Sequence, residues 1–233
     1  MELQAECDIP KREGEIKRKQ TQPREANTTI FVFGEGASEI NYFNTLYTRE
    51  GLGQAGISIR TNDLPVTATD SKALFRLAEQ KAEVYDSVYC VIDMDAIHDK
   101  KVFRKYLDAK EGLKKKRPTI HVIESFPCFE VWILLHYTQS CGSATRCADV
   151  EKNLRKFPEL ANYRHGQPIY DTIRPKQKDA VRNAGEIWKK RDSDIRSGVP
   201  ETDAKTAYTE IYQAVEGSFN KRRTEAEFQR KSS

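Results

Sequence analysis

The chain has 233 residues, 32% of them charged, and a formal net charge of +4. This length suits one domain with an extension, and it allows a core that needs no disulfide or structural metal to hold it together. The longest apolar run, residues 131–135, is far below the roughly 18 residues that span a bilayer, and residues 1–27 lack the apolar stretch of a signal peptide, so we expect a cytoplasmic protein without membrane contact.

The pattern of apolar residues predicts an α/β fold. From residue 28, short runs of β-branched and aromatic residues alternate with segments of helical periodicity. The predicted strands are 29–33, 57–61, 87–92 and 119–123. Alternation of this kind is typical of a Rossmann-like core, in which helices flank a mostly parallel, here four-stranded, sheet.

The strand signal fades after about residue 144, and helical character replaces it. Helical periodicity recurs near 146–156, 177–191 and 203–219, with a loop-like stretch at 158–175. Residues 1–27 mix charged residues and Gln with almost no apolar ones, which predicts a flexible leader. We therefore divide the chain into a leader at 1–27, an α/β core at 28–140, a helical C-terminal region packed on the core at 141–220, and a basic tail at 221–233.

Carboxylates follow two of the predicted strands at the point where each strand ends. Glu35 stands between two glycines after the first strand, and Glu39 follows one helical turn later. Asp93 and Asp95 follow the strand at 87–92. Because the carboxyl ends of parallel strands share one sheet edge, and crowded carboxylates need a cation, the sequence predicts a Mg²⁺ or Mn²⁺ site there. By itself, Asp-x-Asp after a strand is more often a helix cap with a spare carboxylate, and Gly-Glu-Gly alone is a similarly weak signal, so the prediction depends on the two occurring together.

Three neighbouring side chains extend this prediction. Ser38 is of a type that caps helices, and we expect it to be the N-cap of the helix that carries Glu39. His98 and Asp99 are close enough in sequence to Asp95 to support the metal ligands from behind.

The five cysteines are expected to be reduced thiols. Their number is odd and no pair has CxxC spacing. A zinc site made of Cys128, His136, Cys141 and Cys147 is the alternative, but these spacings match no finger or ribbon pattern.

Three segments together resemble a known family. They are Val32–Glu39 (VFGEGASE) with Asn41-Tyr42-Phe43, Val91–Asp95 (VIDMD), and Pro127–His136 (PCFEVWILLH). Over about residues 28–220 the chain is similar to the RloB family, Toprim-like proteins of bacterial defence loci.

The resemblance implies roles for five acidic residues. Glu35 becomes a metal ligand or general acid/base, Asp93 and Asp95 bind Mg²⁺, and Glu39 matches a second glutamate of related nucleases. Glu130, at the next strand-to-helix junction, becomes a further catalytic ligand. A first-turn glutamate that favours the helix dipole is an equally good explanation of Glu130.

Basic residues are the predicted contacts to nucleic acid. The resemblance implies a late lysine, for which Lys176 and Lys178 are available. A basic run ends a predicted helix and consists of Lys114, Lys115, Lys116 and Arg117. It either contacts phosphate or is a solvated helix end.

The function that the resemblance implies is a metal-dependent nuclease that cleaves DNA or RNA, including tRNA, as an antiviral effector. Its expected partners are nucleic acid, a controlling ATPase of the ABC or AAA type, and a second copy of the chain. The alternative is a non-catalytic regulatory or adaptor subunit whose acidic pocket binds a metal or a nucleotide.

Overall fold

A five-stranded sheet lies at the centre of the protein. The computed structural model describes residues 28–54, 57–63, 70–97, 100–199 and 207–215. The strands are β1 (Thr28–Gly34), β2 (Ile57–Asp63), β3 (Ser87–Asp93), β4 (Ile120–Phe126) and β5 (Tyr208–Thr209). Their order in the sheet is β2-β1-β3-β4-β5, with the first four parallel and β5 antiparallel to β4.

Seven α-helices connect or follow the strands. They are α1 (Ala37–Arg49), α2 (Ser71–Ala82), α3 (Lys100–Lys116), α4 (Glu130–Leu134), α5 (Cys147–Leu154), α6 (Tyr170–Ile173) and α7 (Gln177–Arg196) among the described residues. Single 3₁₀ turns lie at Asp95–Ile97, Pro158–Leu160 and Arg174–Lys176. Within this part of the chain, no helix has the length and apolarity that a bilayer span requires.

The sheet separates two apolar cores. Side chains alternate along β1, so that Ile30 and Val32 pack on one face while Phe31 and Phe33 pack on the other. The first face is covered by α1, α4 and the helices that follow α4, and the second by α2 and α3. Because both faces are covered, the central strands are apolar throughout, as parallel strands usually are.

The α/β prediction is confirmed, with one difference in the sheet. The four predicted strands are present and parallel. The helix predicted near 203–219 is wrong at its described start, because Tyr208 and Thr209 pair with Phe126 and Ser125 as a fifth, antiparallel strand. Residues 211–215 then turn helically. Apolar residues at 208, 211, 212 and 215 fit a helix, but a two-residue strand is too short to show its own period.

A buried polar network fastens β5 to β4. The Glu210 amide donates to the Glu124 carbonyl at 2.8 Å, and the Glu124 amide donates to Glu210 Oε2 at 2.9 Å. The Glu124 side chain accepts hydrogen bonds from Tyr106 (2.8 Å), Lys110 (2.5 Å) and Tyr208 (3.1 Å). Strand β5 is therefore held against β4 by polar contacts as well as by apolar packing.

Candidate metal site at the carboxyl edge of the sheet

Glu35 stands at the end of β1, where the chain turns towards α1. A Cβ atom at Gly34 would lie 2.8 Å from the Cβ of Glu39, so only glycine lets the turn close this tightly. The Oε1 atom of Glu35 is buried and has no hydrogen-bond partner among the described residues. Burial raises the pKa of Glu35 to about 7; the Asp93 amide opposes the shift and the Asp95 charge adds to it.

Glu39 lies in the first turn of α1 and is only 1% exposed. Its Oε2 atom is buried without a hydrogen-bond partner in the described part of the chain. Burial raises the pKa of Glu39 well above its usual range, and the charges of Glu130 and Glu35 raise it further. Glu39 is therefore close to two other carboxylates inside the protein.

Asp93 ends β3 and points to the same cluster. Its Oδ1 atom accepts a hydrogen bond from the Phe129 amide at 2.8 Å. Burial raises the pKa of Asp93, and the charges of Glu39, Glu130 and Glu35 raise it further.

Asp95 lies two residues beyond β3, at the exposed start of a 3₁₀ turn. Its amide donates to the Pro127 carbonyl at 3.1 Å, which fixes this turn against the β4–α4 connection. Its charge is one cause of the raised pKa of Glu35, so its carboxylate approaches the cluster from the solvent side.

Glu130 begins α4 and is completely buried. Its Oε1 atom accepts hydrogen bonds from Ser38 Oγ at 3.0 Å, Tyr163 OH at 2.9 Å and His165 Nδ1 at 2.9 Å. The position is both a first-turn glutamate and a member of the cluster, so the two interpretations of Glu130 are compatible. Its role as a metal ligand stays a prediction, and one of its oxygens is already fully used by protein donors.

Tyr163 and His165 are the site residues that the sequence did not reveal. Both lie between the 3₁₀ turn at Pro158–Leu160 and α6, in the stretch predicted only as a loop. No periodicity marks this stretch; the one available signal is that a Tyr and a His stand two positions apart. Non-local contacts of this kind have no signature in a single sequence.

Ser38 has a different role from the one predicted. The N-cap of α1 is Gly36, without a side-chain cap, so the prediction that Ser38 caps the helix is wrong. Instead, the Ser38 hydroxyl donates to Glu130 and accepts a hydrogen bond from the Gly166 amide at 3.0 Å.

The cluster gathers five acidic side chains with few basic groups beside them. Within the described ranges, no Lys or Arg forms an ion pair with these five carboxylates, and His165 is the one basic group that contacts them. A Cβ atom at Gly36 would lie 3.3 Å from Glu39 Oε2 and 3.4 Å from His165 Nε2, so glycine keeps open the space beside the unpartnered oxygen. Unpartnered carboxylate oxygens beside open space suit a hard divalent cation, so these residues fit Mg²⁺ or Mn²⁺.

The predicted basic contacts are not part of this cluster. The run Lys114–Arg117 ends α3 and precedes β4, so it lies at the opposite edge of the sheet. Lys115 pairs with Glu111 at 2.7 Å. Lys176 stacks on the ring of Tyr137 at 4.3 Å, and Lys178 is exposed. Their contact with nucleic acid stays a prediction, and His98 and Asp99 lie outside the described residues.

The cysteines differ from the expectation of reduced thiols. Cys128 and Cys147 form a disulfide, which a separation of 19 positions and an odd count of cysteines gave no reason to expect. Cys90 and Cys141 are buried free thiols, and burial raises the pKa of each to about 12. His136 Nδ1 hydrogen-bonds the Trp132 carbonyl at 2.8 Å, and the four-residue zinc set does not assemble.

Comparison with known proteins gives a single result. Neither a search of curated proteins nor a search of solved structures found a match. A family model described as RloB-like protein matches residues 30–217, which is most of the chain. The chain therefore belongs to the RloB-like family.

Proposed function

We propose that the protein is a metal-dependent nuclease that cleaves nucleic-acid phosphodiesters. The observation that carries the proposal is the convergence of four carboxylates, from the turn after β1 and from α1, β3 and α4. Among the described residues, two of their buried oxygens, Glu35 Oε1 and Glu39 Oε2, have no hydrogen-bond partner. Carboxylates gathered from separate elements repel one another, and a divalent cation offsets that repulsion.

In this proposal Glu35, Glu39, Asp93 and Asp95 would hold Mg²⁺ or Mn²⁺, with Glu130 behind them. The bound ion supplies charge stabilisation to the phosphodiester and a more acidic water. The chain's own contribution is positioning. The Phe129 amide fixes Asp93, the Asp95 amide is held by Pro127, and the hydrogen bonds on Glu130 fix the back of the site.

The proposed biological setting is supported by the family resemblance alone. A Toprim-like nuclease of a defence locus acts on DNA or RNA, including tRNA, as an antiviral effector under the control of an ABC- or AAA-type ATPase. A second copy of the chain that completes each site fits the same proposal. The basic run Lys114–Arg117, exposed in part, is available for the partner or for nucleic acid away from the acidic cluster.

The test is cleavage by the purified full-length chain with Mn²⁺ or Mg²⁺, using plasmid, single-stranded DNA and total RNA, with and without a candidate ATPase. Glu35→Gln should reduce cleavage by about a hundredfold or more. Glu111→Gln, an exposed glutamate on α3, is the matched control and should keep full activity. Absence of cleavage of every substrate under both conditions would overturn the nuclease proposal.

One observation favours the alternative of a regulatory subunit. Among the described residues, no Lys or Arg pairs with the acidic cluster, so little positive charge is available to draw a phosphate into it. In that case the pocket binds a metal or metal-bound nucleotide without cleaving a substrate. Experiment separates the two functions, because a regulatory subunit should be stabilised by Mn²⁺ but should cleave no nucleic acid.

A further inference from the structure

Three side chains behind the carboxylate cluster bring their ligand atoms together. Cys128 lies two residues before Glu130, and Cys147 is the first residue of α5, which packs on α4. The two sulfurs and a Glu130 oxygen lie within 4.8 Å of one another. Two cysteines and a carboxylate at such distances are a typical zinc-binding combination when the sulfurs are reduced.

The two oxygens of Glu130 have different surroundings. Oε1 accepts all three hydrogen bonds, from Ser38, Tyr163 and His165. Oε2 lies 3.4 Å from the sulfur of Cys147. A disulfide sulfur carries no proton, so in the described part of the chain no N–H or O–H group donates to Oε2. The carboxylate is therefore held rigidly by one oxygen, with the other directed at the sulfurs.

We propose that, once the Cys128–Cys147 disulfide is reduced, the two sulfurs and Glu130 Oε2 bind a thiophilic divalent cation such as Zn²⁺. Sulfur and oxygen ligands of one tetrahedral zinc lie about 3.6 Å apart, close to the 3.4 Å found here. Two sulfur ligands lie about 3.8 Å apart, which reduced cysteines reach by side-chain rotation. A water molecule would complete the tetrahedron as the fourth ligand.

The hydrogen bonds on Glu130 Oε1 support this assignment. Groups that bond the second oxygen of a metal-binding carboxylate fix its orientation, and their removal typically lowers metal affinity about 10- to 100-fold. Of the three donors, His165 is half exposed, whereas Ser38 and Tyr163 are buried. His165 can therefore be changed with little risk to the fold.

The redox step balances with an external dithiol. One thiolate of the dithiol attacks the sulfur of Cys147, which is partly exposed, whereas Cys128 is buried. The S–S bond breaks and Cys128 leaves as a thiolate; the second thiol of the reductant then displaces Cys147 and becomes part of a new disulfide. Two electrons pass from the dithiol to the protein sulfurs, which lose any proton they take up when the cation binds.

This site does not rest on the proposed Mg²⁺ site, although Glu130 also lies at the back of that site. Thiolates select soft or borderline cations, whereas the Glu35, Asp93 and Asp95 oxygens suit hard ones. Either site can exist without the other. Asp95→Asn, which changes an exposed carboxylate of the first site, should leave binding at the sulfurs unchanged.

The test uses Co²⁺ as a spectroscopic probe on the full-length chain, after reduction with a phosphine and removal of the reductant under nitrogen. In the reduced protein about one equivalent of Co²⁺ should saturate sulfur-to-cobalt charge-transfer bands that Zn²⁺ abolishes, and the oxidised protein should show no such bands. Cys147→Ser should lose these bands, and Cys141→Ser, a buried thiol outside the set, should keep them.

A second pair of variants tests the site without disturbing the core. His165→Ala should keep the sulfur bands but bind Co²⁺ about tenfold more weakly. The control is Arg164→Ala, which changes the exposed residue next to His165 and should bind Co²⁺ as the unmodified chain does. The proposal is overturned if the reduced chain gives no sulfur-to-cobalt band. It is also overturned if Cys141→Ser loses the band, or if His165→Ala and Arg164→Ala bind equally well.

Discussion

The hydroxyl of Ser38 donates a 3.0 Å hydrogen bond to Glu130, a residue 92 positions away in the chain. The same oxygen accepts a hydrogen bond from the Gly166 amide. Ser38 therefore joins the start of α1, the start of α4 and the loop before α6 at one buried point. Because these elements carry Glu39, Glu130 and His165, the geometry of the acidic cluster depends on this contact.

Ser38→Ala tests that dependence. The substitution leaves the Gly166 amide without its acceptor and removes one of three donors from Glu130, so we expect a loss of about 1–3 kcal/mol in the free energy of unfolding, measured by urea denaturation. Thr48→Ala removes an exposed hydroxyl from the same helix and should change stability by less than about 0.5 kcal/mol. Equal losses in the two variants would show that the buried contact has no special weight.

The tight turn after β1 gives a second prediction. A Cβ atom at Gly34 would lie 2.8 Å from Glu39 Cβ and 3.3 Å from Ile40 Cδ1, so α1 must shift in Gly34→Ala. We expect a loss of about 1–3 kcal/mol in stability, measured by thermal or urea unfolding, with weakened metal binding because Glu39 moves.

Gly112→Ala is the matched control for this change. A Cβ atom at Gly112, inside α3, meets nothing within 4 Å, so alanine should raise stability by about 0.5–1 kcal/mol. If Gly34→Ala is as well tolerated as Gly112→Ala, the close approach at the turn does not constrain the site.

The parts of the fold that the sequence predicted are those with a local cause. The β1 and β3 runs are buried on both faces and are therefore apolar throughout, which is the pattern that predicted them. The carboxylates were found because they follow such strands directly. Their meeting at one edge then depends only on parallel pairing, which alternation of strands and helices predicts.

The missed parts depend on contacts between distant segments. His165 meets Glu130, 35 positions away, from a stretch without periodicity, and β5 exists only because the edge of β4 offers it hydrogen bonds. The Cys128–Cys147 pairing likewise follows from the packing of α5 on α4. Contacts between distant segments leave no local pattern in the sequence from which they could be predicted.

Metal binding gives a third prediction, read by thermal melting. If Mg²⁺ or Mn²⁺ binds the folded chain alone, a concentration 100 times its Kd adds about 2.7 kcal/mol, which raises the melting midpoint by roughly 5–10 °C. Asp93→Asn should abolish this response. Without metal the variant should be at least as stable as the unmodified chain, because it removes a carboxyl group whose ionisation is opposed by burial and by the neighbouring acidic groups, while it keeps an acceptor for the Phe129 amide.

Asp108→Asn is the control for charge alone. Asp108 is exposed on α3, and its loss should leave the metal-induced shift intact. A melting midpoint of the unmodified chain that does not move at millimolar Mg²⁺ or Mn²⁺ would contradict the metal site.

The pH dependence of stability should report Glu210, which lies in the network that holds β5. Burial raises its pKa to about 7; Lys110 from α3 opposes the shift, the charge of Glu124 from β4 adds to it, and Arg191 from α7 opposes it. The folded pKa exceeds the ordinary value of 4.5, so this stabilisation is complete below about pH 4.5 and is lost as the pH rises through 7.

Glu210→Gln should remove that part of the pH dependence, because glutamine still accepts from the Glu124 amide but does not ionise. Relative to the variant, the unmodified chain should lose on the order of 2–3 kcal/mol of unfolding free energy between pH 4.5 and 8, measured by urea denaturation at each pH. Glu159→Gln, an exposed glutamate, should leave the slope unchanged. Parallel curves for Glu210→Gln and the unmodified chain would mean that Glu210 is ionised in the folded protein throughout this range, with Lys110 and Arg191 neutralising it fully.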